Sequence, residues 1–229
     1  MNIHDVGKVE YPTTCWLTAI FQRQRELMEK YHPIEKANGL LQTEMFPLNL
    51  HDRFCQQRIK DFCWRVTEEI AEASECFKEL DFYTEDWATS DKLDHYREEL
   101  MDALHFLTEL SILIGLGPED VCPIENGKPT ARLHNLLEHV HVGVATVEDL
   151  FIGAFETIME LGIAANCLKN KPWKQTHQLT DEIYFKAQII RVWKKFFKLL
   201  FDIEFTPEMV YDMYIRKSEV NKFRQRSNY

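Results

Sequence analysis

Glycine and proline are scarce, eight of each in 229 residues, and strand-like alternation of apolar and polar residues is hard to find. That excludes an architecture of many short strands joined by tight turns. Cysteine occurs at positions 15, 55, 63, 76, 122 and 167 but never as a C-x-x-C pair, so zinc-ribbon and redox spacings are missing. Most of these cysteines fall at apolar positions of helical patterns and read as reduced core thiols. No apolar run approaches the roughly 20 residues that a bilayer crossing needs. The opening MNIHDVGKVEYP is acidic and polar where a signal peptide would be basic and then apolar. A cytoplasmic protein without a membrane partner is expected. Positive charge is also short: 27 Lys and Arg stand against 37 Asp and Glu, a net charge of −10. Nucleic acid is therefore not expected as a general partner. An acidic chain that handles a polyanion needs a metal ion or a local basic patch.

What is present is an ordinary globular composition, 45% apolar and 28% charged, with enough length to bury a core without disulfide or metal staples. The periodicity predicts a helix over about 14–31, ending before Pro33, and a loop over 33–50. Long helices follow over about 51–80 and 91–116, the second stopped by Gly117-Pro118. A helical region over about 131–168 has candidate breaks at Gly143, Gly153 and Gly162, and KNKPWKQT reads as a basic loop. Thr180 ahead of Asp181 and Glu182 marks a helix start running to about 201. Thr206-Pro207-Glu208 repeats the signal, with proline at the first helical position. No linker, low-complexity tract or internal repeat is evident. Residues 1–229 read as a single all-α domain, a helical bundle.

Two of these helices carry the same acidic phrase, EEIAE at 68–72 and EELMD at 98–102. In the first, Cys63, Val66, Ile70, Ala73, Phe77 and Leu80 recur at three- and four-residue steps. In the second, Leu93, Tyr96, Leu100, Ala103, Leu107, Leu110 and Ile114 do the same. Each series is a stripe suited to helix packing. Glu69, Glu72, Glu99 and Asp102 each precede a stripe position by one residue, so all four border their stripes on the same side. The connection DFYTEDWATSD is short enough to make the helices antiparallel neighbours. Both acidic pairs then stand roughly 12 Å from the turn, at 1.5 Å per residue. Either pair alone could be a solvated face. Two pairs at one height would repel, and burial adds a desolvation cost. A divalent cation resolves this, and all-oxygen ligands suit Mg²⁺, or Mn²⁺ in its place.

Near the C-terminus, YIRKSEVNKFRQRSNY inverts the local charge. Lys217, Asn221 and Arg224 fall at i, i+4 and i+7, one helix face. An ammonium, an amide and a guanidinium so aligned suit phosphate oxygens. KNKPWKQT adds Lys169, Lys171 and Lys174 around Trp173. An acidic metal cluster with basic clamps points to a polyphosphate substrate.

E-E-x-x-E followed by E-x-x-D resembles the all-α nucleoside triphosphate pyrophosphohydrolases, which include the MazG-like proteins and the dimeric dUTPases. EELMDALHF resembles the dimeric dUTPase form of the second motif. The tail Y-I-x-K-x-x-x-N-x-F-R-Q is similar to the closing motif of dimeric dUTPases and of phage dUTPase/dCTPases. The resemblance covers about 60–110 and 205–229 well. It implies an all-α bundle in which Glu69, Glu72, Glu99 and Asp102 hold Mg²⁺ while Lys217, Asn221 and Arg224 grip phosphates. It also implies cleavage of a deoxynucleoside triphosphate, dUTP first, to the monophosphate and pyrophosphate. Water would attack the α-phosphorus in line, with Glu69, or next Glu72, accepting its proton. A homodimer and a phage-encoded setting are implied as well. Gln24, His105 and Phe106 are the implied base contacts, and Trp64, Trp87 and Trp173 are further stacking candidates.

Departures concentrate on base reading. The family's first helix carries Q-x-x-L-N, whereas QRELM places Met28 where the amide belongs. Ser218 stands where the tail motif has Asn, and Arg226-Ser227-Asn228 where Asn-Asn-Gly is common. A lost base hydrogen bond shifts preference strongly, so dCTP or a modified deoxynucleotide is the alternative substrate. A different chemistry is suggested by Asp102-x-x-His105 and Glu138-x-x-His141, which echo di-iron carboxylate bundles. That reading leaves the E-x-x-E pair and the basic tail unexplained.

Overall fold

The apolar stripes decide the architecture. The computed structural model describes residues 1–13, 15–39, 46–80, 90–122, 145–171 and 173–226, with 124–125, 128–129, 133 and 136. A short 3-10 turn at Ile3–Asp5 precedes α1 (Trp16–Ala37), α2 (Arg53–Glu75), α3 (Ser90–Leu113) and the one-turn α4 (Pro118–Val121). Then come α5 (Val147–Cys167), α6 (Glu182–Asp202) and α7 (Pro207–Arg226). Among the described residues the only strands are a two-residue antiparallel ladder, Ile124–Glu125 against Lys128–Pro129. The protein is all-α.

Helices α2 and α3 form the central pair. Asp52 caps α2, its carboxylate accepting from the backbone N–H groups of Phe54 and Cys55 at 2.9 Å. Ile59, Val66, Ile70 and Ala73 of α2 are fully buried, as are Leu100, Ala103, Leu107 and Leu110 of α3. Ring contacts fix the direction: Phe62 meets Phe106 at 6.2 Å and Phe77 meets Tyr96 at 4.8 Å. As one number rises the other falls, so the pair is antiparallel. Helices α1 and α7 pack on α3, and α5 packs on α2 and α6. Trp193 of α6 is fully buried and donates its indole N–H to Ser111 Oγ of α3 at 2.8 Å. One apolar cluster runs from Val9 to Tyr214.

Several expectations need correction. Helix α1 does not end before Pro33 but continues to Ala37 with the proline inside. The missing N–H costs little there, because Glu29 and Lys30 face solvent and water can satisfy the freed carbonyl. The extension places Glu35 against Arg58 of α2, both oxygens 2.9 Å from one nitrogen. Helix α2 stops at Glu75, and turns carry the chain on to Leu80. Gly153 and Gly162 do not break α5; a Cβ at Gly153 would lie 3.1 Å from Leu199 Cδ1, so glycine lets α6 come close. The cap of α6 is Asp181, which accepts from Tyr184 N–H at 3.0 Å. Thr180 is buried instead and donates to Leu50 O at 2.7 Å. Gly143, Trp87, Glu138 and His141 lie outside the described residues. By length and composition α5 could cross a membrane, although no unbroken apolar run reaches that length. It buries Leu150, Ala154 and Leu161 and turns Ile152, Phe155, Met159 and Ile163 outward.

Leu100→Ala at the α2–α3 seam is expected to cost about 2–5 kcal/mol, read as a lower urea midpoint with an unchanged slope. A loss well under that range would mean that the seam is not the main packing contact.

Candidate active site

Because α2 and α3 run antiparallel, their acidic phrases meet. Ligand oxygens of Glu69, Glu99 and Asp102 lie within 4.8 Å of one another, all three groups half-buried. Glu72 is exposed and lies outside this group, though its charge reaches Glu69. Burial, then Asp102, Glu72 and Glu99, push the Glu69 carboxyl up to about 8, with Lys217 pulling the other way. Asp102 is pushed up to about 6 by burial, against the pull of Lys217. At neutral pH the metal-free cluster therefore keeps a proton on Glu69. An all-oxygen set whose proton affinity is raised by burial and by crowded like charges fits a hard divalent cation.

Lys217 reaches this cluster from α7. Its Nζ is 2.7 Å from Asp102 Oδ2 and 2.7 Å from Glu98 Oε1. Burial pulls the ammonium down, but the two carboxylates outweigh it and its pKa is raised. Glu98 was not singled out in the sequence because the acidic pattern there ran through Glu99.

Next to the cluster is a cavity of about 270 Å³ between α1, α2, α3 and α7. Gln24, Glu69, Asp102, His105, Phe106, Asn221 and Arg224 all line it. Sequence reasoning named these seven, and the fold brings them to one place. Trp64 and Trp173 do not line it; they are 59% and 75% exposed. Instead Phe62 and Phe106 meet edge to face, and the Arg65 guanidinium lies over both rings at 5.1 and 5.5 Å. Met28 is buried in the core and is not part of the lining. Ser218 is fully buried with an unpartnered hydroxyl.

Gln24 is the hub of the cavity floor. Its Oε1 accepts from the Tyr214 hydroxyl at 2.8 Å and from His105 Nδ1 at 2.9 Å. Its Nε2 donates to Glu109 Oε2 at 2.9 Å. Burial lowers His105 to about 3, against the backbone bond to Tyr214, so the ring is neutral. Its Nε2 faces the Tyr214 carbonyl oxygen at 3.3 Å, and the shorter contact, to Gln24, favours the hydrogen on Nδ1. The ring also stacks on Tyr214 at 3.9 Å. His105 is thus turned away from the acidic cluster, which the di-iron reading would have joined. Burial, then Glu35, push Glu109 up to about 7, while Arg58 and the Gln24 bond oppose. Glu109 and Tyr31 line the cavity too and were missed. The signal was there: Glu98, Asp102, His105 and Glu109 sit at i, i+4, i+7 and i+11, one polar line that continues into the apolar second half of α3.

A family model described as dUTPase matches residues 16–229. The chain belongs to this all-α dUTPase family. Membership makes it an enzyme, a nucleotide pyrophosphohydrolase of the MazG-like type, and the acidic cluster is the part of this dUTPase-family chain suited to a metal ion. No curated protein and no solved structure matches the chain.

Raised carboxyls set a sign for stability. Folded Glu69 binds its proton more tightly than the unfolded chain does, so from its ordinary 4.5 up to about 8 the folded state holds the extra proton. Stability contributed by that proton is lost as pH rises through this window. In chelator, the urea midpoint should fall with pH across it, and Glu69→Gln should flatten the slope. An unchanged slope in the variant would remove crowding at Glu69 as the cause.

Proposed function

We propose that the protein hydrolyses dUTP to dUMP and pyrophosphate with Mg²⁺, acting as one all-α domain in the cytoplasm. The observation that carries this is the shared wall: Glu69 and Asp102, two of the three carboxylates that lie within 4.8 Å of one another, line the same cavity as Gln24, His105, Phe106, Asn221 and Arg224. Glu69, Glu99 and Asp102, with Glu72 at the rim, would hold Mg²⁺ or Mn²⁺. When bound, the ion supplies positive charge against the triphosphate and lowers the pKa of water.

The chain's own groups divide the remaining work. Glu69 accepts the proton of the attacking water, with Glu72 second in line. Lys217, Asn221 and Arg224, one face of α7, hold phosphate oxygens, the guanidinium as a fork and the ammonium as a point charge. Negative charge gathering on the departing pyrophosphate is met by these cations. Gln24, His105 and Phe106 shape the base end, where neutral His105 keeps the Gln24 amide in one orientation. The cavity's apolar rings exclude water from that end. The physiological result is removal of dUTP ahead of DNA synthesis, in a phage-encoded setting. The same chemistry on dCTP or a modified deoxynucleotide is the second reading, favoured by Met28 lying in the core instead of offering an amide to the base.

A second copy of the chain suits the outward face of α5. Phe155 is 65% exposed, and Ile152, Met159 and Ile163 extend the stripe at helical steps. A contiguous apolar face of this kind marks an interaction surface, and a homodimer covers it.

Incubation with each deoxynucleotide and Mg²⁺ should release pyrophosphate and monophosphate, fastest from dUTP; orthophosphate as the first product would refute the cleavage site. Glu69→Gln should lower kcat by about 100-fold or more, the scale of a lost general base, while the protein stays folded. Phe155→Asp should halve the mass seen by light scattering, and an unchanged mass would place the dimer contact elsewhere.

A further inference from the structure

The cavity floor contains a carboxyl that phosphate chemistry does not use. Glu109 follows Asp102 by two turns of α3, about 10 Å at 1.5 Å per residue. That matches the reach from a nucleotide's α-phosphate to the far edge of its base. The acidic cluster marks the phosphate end, so Glu109 stands at the base end. Leu27, Phe62 and Phe106 line the same cavity and present apolar surface suited to a flat ring.

Glu109 is also oriented. Gln24 donates to its Oε2, and Gln24 is fixed in turn by the Tyr214 hydroxyl and His105, which together occupy its carbonyl oxygen. Burial adds a desolvation cost and Glu35 adds like charge nearby, offset in part by Arg58, the Gln24 bond and Arg65. A leucine would fill this space without either cost. Tyr31, on the cavity wall, responds to the Glu109 charge as well.

We propose that Glu109, oriented by Gln24, reads the base: its carboxyl accepts the N–H on the pairing edge of a pyrimidine. This rests on the pyrophosphohydrolase reading above. The Gln24 amide carries two hydrogens, one of which goes to Glu109. Amide donor and carboxyl acceptor therefore stand 2.9 Å apart. A pyrimidine's pairing edge places an N–H beside a carbonyl oxygen or a ring nitrogen, the complement of that pair. A base whose N–H is replaced by a methyl group collides with the carboxyl and leaves its acceptor facing the base without a donor, which is how a polar pocket rejects an analogue.

The test compares kcat/KM of the full-length wild type, Glu109→Leu and Glu109→Gln on dUTP and on N3-methyl-dUTP with Mg²⁺. If dCTP is the better substrate, N4,N4-dimethyl-dCTP takes the analogue's place. The wild type should reject the methylated analogue by at least about 100-fold, and Glu109→Leu should shrink that ratio to within about 5-fold, mostly through a higher KM for the natural substrate. Glu109→Gln, whose amide oxygen still accepts, should keep part of the discrimination. Wild-type discrimination surviving in a folded Glu109→Leu overturns the assignment while leaving the hydrolase reading intact. Should that variant not fold, an unchanged ratio in Glu109→Gln overturns it instead. Absence of pyrophosphate release from any nucleotide by the wild type overturns both readings.

Discussion

The antiparallel seam between α2 and α3 forces like charges together, and the rest of the site depends on it. At 4.8 Å or less, two ionised carboxylates repel by about 3–4 kcal/mol with an effective dielectric constant of 20. Each fully buried aliphatic side chain along the seam contributes about 1.5–3 kcal/mol, and the seam has several, from Ile59 through Leu110. Packing therefore wins. The chain relieves part of the repulsion with a proton on Glu69 and part with the Lys217 ammonium. Both are substitutes for a stronger positive charge, which is why the cluster is suited to a divalent ion. The arrangement is less stable alone than it would be with neutral residues.

Labour is divided among four helices. Helix α2 provides Glu69 and α3 provides Glu99, Asp102 and the polar line beyond it. Gln24 enters from α1, and α7 brings the cations. The acidic cluster comes from α2 and α3, and Lys217 reaches it from α7. Lys217 ties α7 to α3 through Asp102 and Glu98, and Gln24 ties α1 to α3 and α7 through His105, Glu109 and Tyr214. Side chains of the candidate site therefore also hold the bundle in register, so their substitution changes geometry as well as chemistry.

Much of this was legible in the sequence where the signal was local. Stripes at three- and four-residue steps announced α2 and α3, and the acidic residues bordering them announced the cluster. The cap signal Thr206-Pro207 placed the start of α7. Local rules failed where solvent or a distant neighbour decided the outcome. Pro33 reads as a stop, yet the exposed turn around it tolerates the lost bond. Gly153 reads as a break, yet it serves the approach of Leu199. Glu109 looked like one more acidic residue on a helix, because its partner Gln24 is 85 positions away. The Lys217–Glu98 contact spans 119 positions, so no window of helical length could expose it. Polar residues on an apolar helix acquire meaning only once the opposing helices are known.

The bond between the Tyr214 hydroxyl and Gln24 spans 190 positions, and this has a consequence for biosynthesis. At 5–20 residues per second, a ribosome needs roughly 10–40 seconds to travel from one partner to the other. Throughout that interval the nascent α1 offers its glutamine to no native acceptor on α7, and the carboxylates of α3 wait without their lysine.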